Sequence, residues 1–162
     1  MYKLINPEEM GLPLSTFIVM SHTLRHLHNK LENNGGYGDL TRSQFYTLMT
    51  LEHQEGMPLS QISERISRSP GNMTLVIDNL EKEGLVERQR SKEDRRVVVA
   101  MLTENGRHRI EQARRAHRAA VEQELSSLTD HELQMLTELF QKINLELCGH
   151  THDQQKALKT EL

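Results

Sequence analysis

The feature that most limits how this chain can fold is a change of hydrophobic period at Gly84. Before it, Met73, Val76, Ile77 and Leu80 recur at i, i+3, i+4 and i+7, the spacing of one helical face. Ser69 is a good N-cap and Pro70 suits the first helical position, where a missing N–H costs nothing, so the helix is expected over Pro70–Glu83 with Gly84 as its stop. After Gly84 the period becomes that of a strand. Leu85–Arg90 reads as one strand, Ser91–Arg95 as a polar turn, and Arg96–Leu102, rich in β-branched residues, as the return strand of a hairpin. A short helix from Gln61 to Ile66, capped by Ser60 and carrying Ile62 and Ile66 on one face, precedes the tight turn at Ser69. Helix, tight turn, helix and hairpin make a helix-turn-helix with a wing.

The flanks are helical. Leu14, Phe17, Ile18, Ser21, Leu24, Leu27, His28 and Leu31 fall near a 3.6 period, which predicts a first helix over Leu14–Glu32, behind Pro13 and ended by Asn33-Asn34-Gly35-Gly36. A glycine-rich loop follows as far as Leu40. Thr41-Arg42-Ser43-Gln44 is a capping box that opens a helix turning Phe45, Leu48, Met49 and Leu51 inward, stopped at Gly56-Met57-Pro58. Thr103 caps a long helix to about Ser126, with Ile110, Ala113, Ala120, Val121 and Leu125 on its apolar side. A second capping box, Thr129 to Glu132, opens a last helix striped by Leu133, Leu136, Leu139, Phe140, Ile143 and Leu147. The expected fold class is mainly α with a small β-hairpin (α+β): a winged helix-turn-helix over residues 37–103, inside a discontinuous helical dimerisation domain of residues 1–36 and 104–150, with a polar tail at 151–162 that is expected to fray.

Composition supports a helical assembly. Of 162 residues 36% are hydrophobic, with no Trp, three Phe, three Tyr and eight Met. That makes a thin core for a lone monomer, so helices are expected to pack between subunits of a homodimer. No run of eighteen apolar residues exists and the N-terminus has no secretory pattern, so neither a membrane nor export is expected. The single cysteine, Cys148, leaves no intramolecular disulfide and points to a reducing, cytoplasmic setting. The enzyme classes find no support: there is no glycine-rich phosphate loop, nucleophile elbow or metalloprotease motif.

Net charge is −3, but its distribution is uneven. Val86–Arg118 holds ten basic and five acidic residues, a net of +5, whereas Glu122–Leu162 holds three basic and eight acidic, a net of −5. Arg88, Arg90, Lys92, Arg95 and Arg96 cluster on the protruding hairpin, where arginines suit phosphates and a narrow minor groove, and Asp94 orients one of them. Alone, such a hairpin is better explained as a solvated, charged turn. Beside a helix-turn-helix it is better explained by double-stranded DNA. Arg68, Ser69, Gly71, Asn72, Thr74 and Leu75 would then face the duplex from the second helix. Small polar groups and a helix N-terminus accommodate phosphates, Asn72 can pair with adenine, and Leu75 can meet a thymine methyl. The competing reading is a winged-helix module that binds another protein instead of DNA.

Three stretches carry a resemblance to a known family: Leu59–Ile66, Asn72–Val86, and Asp94-Arg95-Arg96 followed after five residues by Leu102-Thr103. Across roughly Thr16–Leu147 the chain resembles the MarR-type (multiple antibiotic resistance) regulators. The resemblance implies an obligate, triangular dimer whose N- and C-terminal helices interlock. It also implies recognition helices in successive major grooves, wing arginines in the minor groove, and a pseudo-palindromic operator, often repressed and released by a small phenolic or other organic effector. Asp94 and Arg96 match the family's Asp-x-Arg wing pair. The chain departs from the pattern at Leu75 and Asn79, where relatives often carry a basic residue, and it lacks the N-terminal cysteine of redox-sensing members.

An effector pocket is expected between the first two helices and the long one, lined by Phe17, His22, Arg25, Phe45 and Met49, with His22 or Arg25 meeting a carboxylate or phenolate. The same side chains also read as ordinary core and solvated surface. His22 and His26 have the i, i+4 spacing of metal ligands, and Cys148-Gly149-His150-Thr151-His152 resembles a soft site. No acidic or cysteine ligand adjoins the first and the second sits in a polar terminus, so no metal and no cofactor are expected.

Overall fold

The structure is a computed structural model that describes residues 7–52, 54, 56–66, 69–91 and 97–147. In chain order the elements are α1 (Pro7–Met10), α2 (Leu12–Asn33), β1 (Gly36–Asp39), α3 (Arg42–Glu52), β2 (Met57–Pro58), α4 (Leu59–Arg65), α5 (Pro70–Lys82), β3 (Val86–Arg90), β4 (Val98–Leu102), α6 (Glu104–Glu124) and α7 (Asp130–Leu147). The chain divides into two compact units, Met1–Glu124 and Leu125–Leu162.

The first unit owes its form to one continuous core. Leu31 from α2, Tyr37 from β1, and Phe45, Leu48 and Leu51 from α3 join Ile62 of α4 and Met73, Ile77 and Leu80 of α5. Val86, Ala100 and Leu102 close it from the sheet, and Ile110 and Ala113 from α6. Each large side chain taken fully out of water contributes on the order of 2 kcal/mol, so this cluster, rather than helix propensity, holds the elements together. The stripe expected on α5 is the buried one: Met73, Ile77 and Leu80 are inaccessible, and Val76 packs at the margin.

Local signals act as the sequence implies at several junctions. The Thr41 N–H donates to Gln44 Oε1 at 2.9 Å while the Gln44 N–H donates to Thr41 Oγ1 at 3.2 Å, a reciprocal capping box at the start of α3. Gly84 ends α5 with φ +69°, the left-handed conformation a Cβ disfavours, and the Leu85 N–H returns to the Leu80 carbonyl at 2.9 Å.

Four expectations need correction. The glycine-rich stretch before Leu40 is extended structure, β1, and it buries Tyr37. A Cβ on Gly36 would stand 3.1 Å from Ala120 Cβ, so glycine there lets the strand lie close to α6. Met57-Pro58 is more than a helix stop. It pairs antiparallel with β4, Met57 opposite Ala100 and Pro58 opposite Val99, giving a three-stranded sheet in the order β2-β4-β3. Proline, lacking an N–H, is suited to such an edge. Next, α4 begins at Leu59 with Pro58 at the cap position, so Ser60 lies inside the helix, where its carbonyl accepts from Ser63 Oγ. Lastly, α2 begins at Leu12 and takes Pro13 into its first turn.

In the second unit, α7 opens on the expected capping box. The Thr129 N–H and hydroxyl both donate to Glu132 Oε2 at 2.8 Å, which holds that carboxyl below the usual carboxylate range. Its apolar stripe is exposed at Met135, Leu136, Leu139, Ile143 and Leu145.

Candidate nucleic-acid interface

The outward face of α5 is exposed. Ser69, Gly71, Asn72, Thr74, Leu75 and Asn79 are exposed while the opposite face is sealed into the core. Leu75 is 60% exposed, although a leucine on a folded surface gains nothing from water. Ser69 occupies the N-cap position in an extended conformation without a side-chain cap bond, so its hydroxyl is not consumed by the helix. The N-terminal N–H groups of α5 therefore open onto a small, neutral, polar surface of the kind an approaching phosphate or base edge needs.

The wing is fixed beside this helix from its base. Thr103 Oγ1 donates to the Gly84 carbonyl at 2.7 Å, the Thr103 N–H donates to the Leu85 carbonyl at 3.2 Å, and the Gly106 N–H donates to Thr103 Oγ1 at 3.0 Å. The start of α6 is thus bonded to the α5–β3 junction. A Cβ on Gly106 would lie 2.0 Å from the Leu85 carbonyl oxygen, so only glycine permits the approach. From there β3 and β4 run out in register, Arg88 opposite Ala100 and Arg90 opposite Val98.

The charged residues predicted to face the duplex separate into three groups. Arg90 is exposed. Arg88 is engaged within the fold, by Asp78, Glu81 and the Thr74 carbonyl. Arg68, Lys92, Asp94, Arg95 and Arg96 lie outside the described residues. Sequence reasoning counted Arg88 among the contacts because charge carries no sign of an intramolecular partner across the Gly84 turn.

The five residues expected to line an effector pocket are not brought together. Phe45 is core, 1% exposed, with ring centroids 5.3 Å from Tyr37 and 4.7 Å from His117. Phe17 is 65% exposed on α2. His22 Nδ1 accepts from Arg25 Nη2 at 2.8 Å, and Met49 is partly buried against the core. His22 and His26 stack with centroids 6.4 Å apart. Cys148, His150 and His152 lie outside the described residues.

A cleft of about 290 Å³ opens elsewhere, between α2, α3 and α4. Its lining includes His28, Arg42, Tyr46, Thr50 and Arg65. Behind it, His28 Nδ1 lies 3.1 Å from the Tyr37 hydroxyl and His117 Nδ1–H donates to the Gly36 carbonyl at 2.9 Å. Burial, then the Arg42 charge, lowers the His28 pKa, and burial raises that of Tyr37. Sequence reasoning missed this cluster. The available signal was His28 itself, a polar residue on the inward stripe of the first helix.

Comparison with known proteins agrees with this architecture. The MarR family pattern matches residues 40–98. The chain is 32% identical over 132 residues to the HTH-type transcriptional regulator MhqR of Bacillus subtilis, covering 82% of this chain and 91% of the relative. It is 29% identical over 153 residues to the HTH-type transcriptional regulator PapX of Escherichia coli, covering 90% of each. Among solved structures, apo MarR from E. coli superposes with a TM-score of 0.70 at 25% identity, over 82% of this chain and 97% of that one. A mutant MarR complexed with operator DNA superposes with a TM-score of 0.68 at 25% identity, over 82% and 94%. The winged helix with its outward reading helix, and the extent of these likenesses, lead to one conclusion: this chain belongs to the MarR family of helix-turn-helix transcriptional regulators.

Proposed function

We propose that the chain represses transcription as a homodimer on a pseudo-palindromic operator and releases it when a small organic anion binds. The observation that carries the DNA-reading half is the outward face of α5, exposed and neutral, fixed beside the wing by the Thr103 bonds. Asn72 pairs with adenine, Leu75 meets a thymine methyl, Ser69, Gly71 and Thr74 lie against the backbone, and Arg90, Arg95 and Arg96 anchor the wing in the minor groove.

Dimerisation is supported by exposed apolar side chains. Leu12, Leu14, Phe17, Val19 and Leu24 are exposed on α2, and Met135, Leu136, Leu139, Ile143 and Leu145 on α7. Helices so exposed gain stability by burying those faces against a second copy. In this reading Phe17 belongs to the subunit interface rather than to an effector pocket. The effector's seat is the cleft of His28, Arg42, Tyr46, Thr50 and Arg65, where two guanidinium groups suit a carboxylate or phenolate.

Fluorescence anisotropy on duplex DNA from upstream of the protein's own gene tests the proposal, with wild type and Arg95→Ala/Arg96→Ala compared across a salt series. Tight binding that weakens steeply with salt and is lost in the double variant is expected. A folded protein that binds no duplex specifically at any salt would transfer the function to protein recognition.

A further inference from the structure

Arg88 is a cation on the wing, yet its side chain turns back toward the reading helix. Its Nη2 lies 2.5 Å from Asp78 Oδ1 and donates to the Thr74 carbonyl at 3.3 Å, and its Nη1 donates to Glu81 Oε2 at 3.1 Å. The Arg88 backbone N–H also donates to Glu81 Oε1, at 3.3 Å. Thr74, Asp78 and Glu81 are spaced i, i+4 and i+7, so one face of α5 presents all three acceptors to one guanidinium. The Arg88 side chain is 24% exposed, and Asp78 and Glu81 are 38% and 41% exposed. A single ion pair that wet contributes little, but a planar fork bridging two carboxylates and a carbonyl fixes a geometry that a lone pair does not.

We infer that Arg88 is a positioning residue for DNA binding: it clamps β3 to α5, so that wing and reading helix meet the duplex as one rigid piece. The inference rests on the proposal that these two elements contact DNA. It also bears on why two carboxylates are tolerated on a helix that approaches a polyanion, since Arg88 offsets one of the two charges in place. Arg90, two residues along the same side of the strand, remains exposed for the duplex.

The test uses the full chain and a duplex recovered by the wild-type protein from a random-sequence pool, with anisotropy measured across a salt series. Arg88→Gln is expected to weaken binding roughly tenfold with the salt slope unchanged, because no phosphate contact is lost. Asp78→Ala/Glu81→Ala removes two negative charges from the reading helix. Charge alone would tighten binding, whereas the clamp requires it to weaken by a similar factor. The triple variant should be no worse than either, since all three residues act as one unit. A slope that falls by about 0.9 in Arg88→Gln would make Arg88 a phosphate contact and overturn the inference. Tighter binding by the acidic double variant would overturn it equally. Should Arg88→Gln fail to fold, Arg88→Lys keeps the charge but loses the fork, and weaker binding at unchanged slope is again expected. If the wild-type protein recovers no duplex, the DNA-reading proposal itself fails, an outcome distinct from a clamp failure on a bound duplex.

Discussion

The lobe built around the core of the first unit and α7 of the second both rest on amphipathic helices, yet they stand in opposite conditions. In the lobe, Met73, Ile77 and Leu80 on the inward face of α5 are buried, and the exposed side near its N-terminus is small and polar apart from Leu75. In α7 the apolar stripe itself is exposed, including Leu139 at 60%. A helix is stabilised by what its apolar face covers. The lobe has completed that process within one chain, and α7 calls for a second surface. The two regions should therefore respond differently to mutation, concentration and pH.

One large expected effect separates assembly from fold. Leu139→Asp/Ile143→Asp should convert the proposed dimer to a monomer in analytical ultracentrifugation, and weaken operator binding at least about 100-fold through lost bivalency. The near-UV spectrum of the lobe should be unchanged. Loss of the lobe's fold in that variant would break the comparison.

Phe45 and Phe17 sharpen it. Phe45→Ala should cost about 3–5 kcal/mol in denaturant unfolding, because the ring is enclosed by Tyr37, Tyr46 and His117. Phe17→Ala should leave the lobe's stability within about 0.5 kcal/mol and act on the dimer dissociation constant instead. Next in size is Gly106→Ala, expected to cost about 3 kcal/mol, because its Cβ meets the backbone carbonyl of Leu85 and no rotamer relieves that contact.

The smallest effect is on pH. Burial and Arg42 place the His28 pKa below its ordinary 6.5, so the folded lobe binds this proton less readily than the unfolded chain. Stability should be unaffected by His28 well above pH 6.5 and should fall as the pH drops beneath that value. Thermal unfolding of wild type and His28→Gln between about pH 7.5 and about pH 5 should show a flatter profile for the variant.

These contrasts also mark what was legible in the sequence. The helix-turn-helix, the hairpin and both capping boxes could be read because each has a period or a fixed spacing: Met73 to Leu80, Thr41 to Gln44, Thr129 to Glu132. The two-residue strand Met57-Pro58 has no period, and only the tertiary pairing with β4 creates it. Phe17 and Phe45 look alike in sequence because both lie on apolar helical stripes. Whether a stripe meets the core of its own chain is decided by packing between distant elements. Arg88 was legible as a cation but not as a clamp, since its partners sit on the far side of the Gly84 turn. The cleft was missed for the same reason: Arg42, Tyr46 and Thr50 share a face of α3, but His28 and Arg65 come from two other helices that no spacing links to it.

The most direct test of the central claim is a hydroxyl-radical footprint of the dimer on a duplex recovered from a random-sequence pool. Two reading helices held by one dimer should protect two symmetric windows about one helical turn apart, roughly 34 Å, with flanking minor-groove protection that disappears in Arg95→Ala/Arg96→Ala. A single window, or protection unchanged by that substitution, would contradict the account.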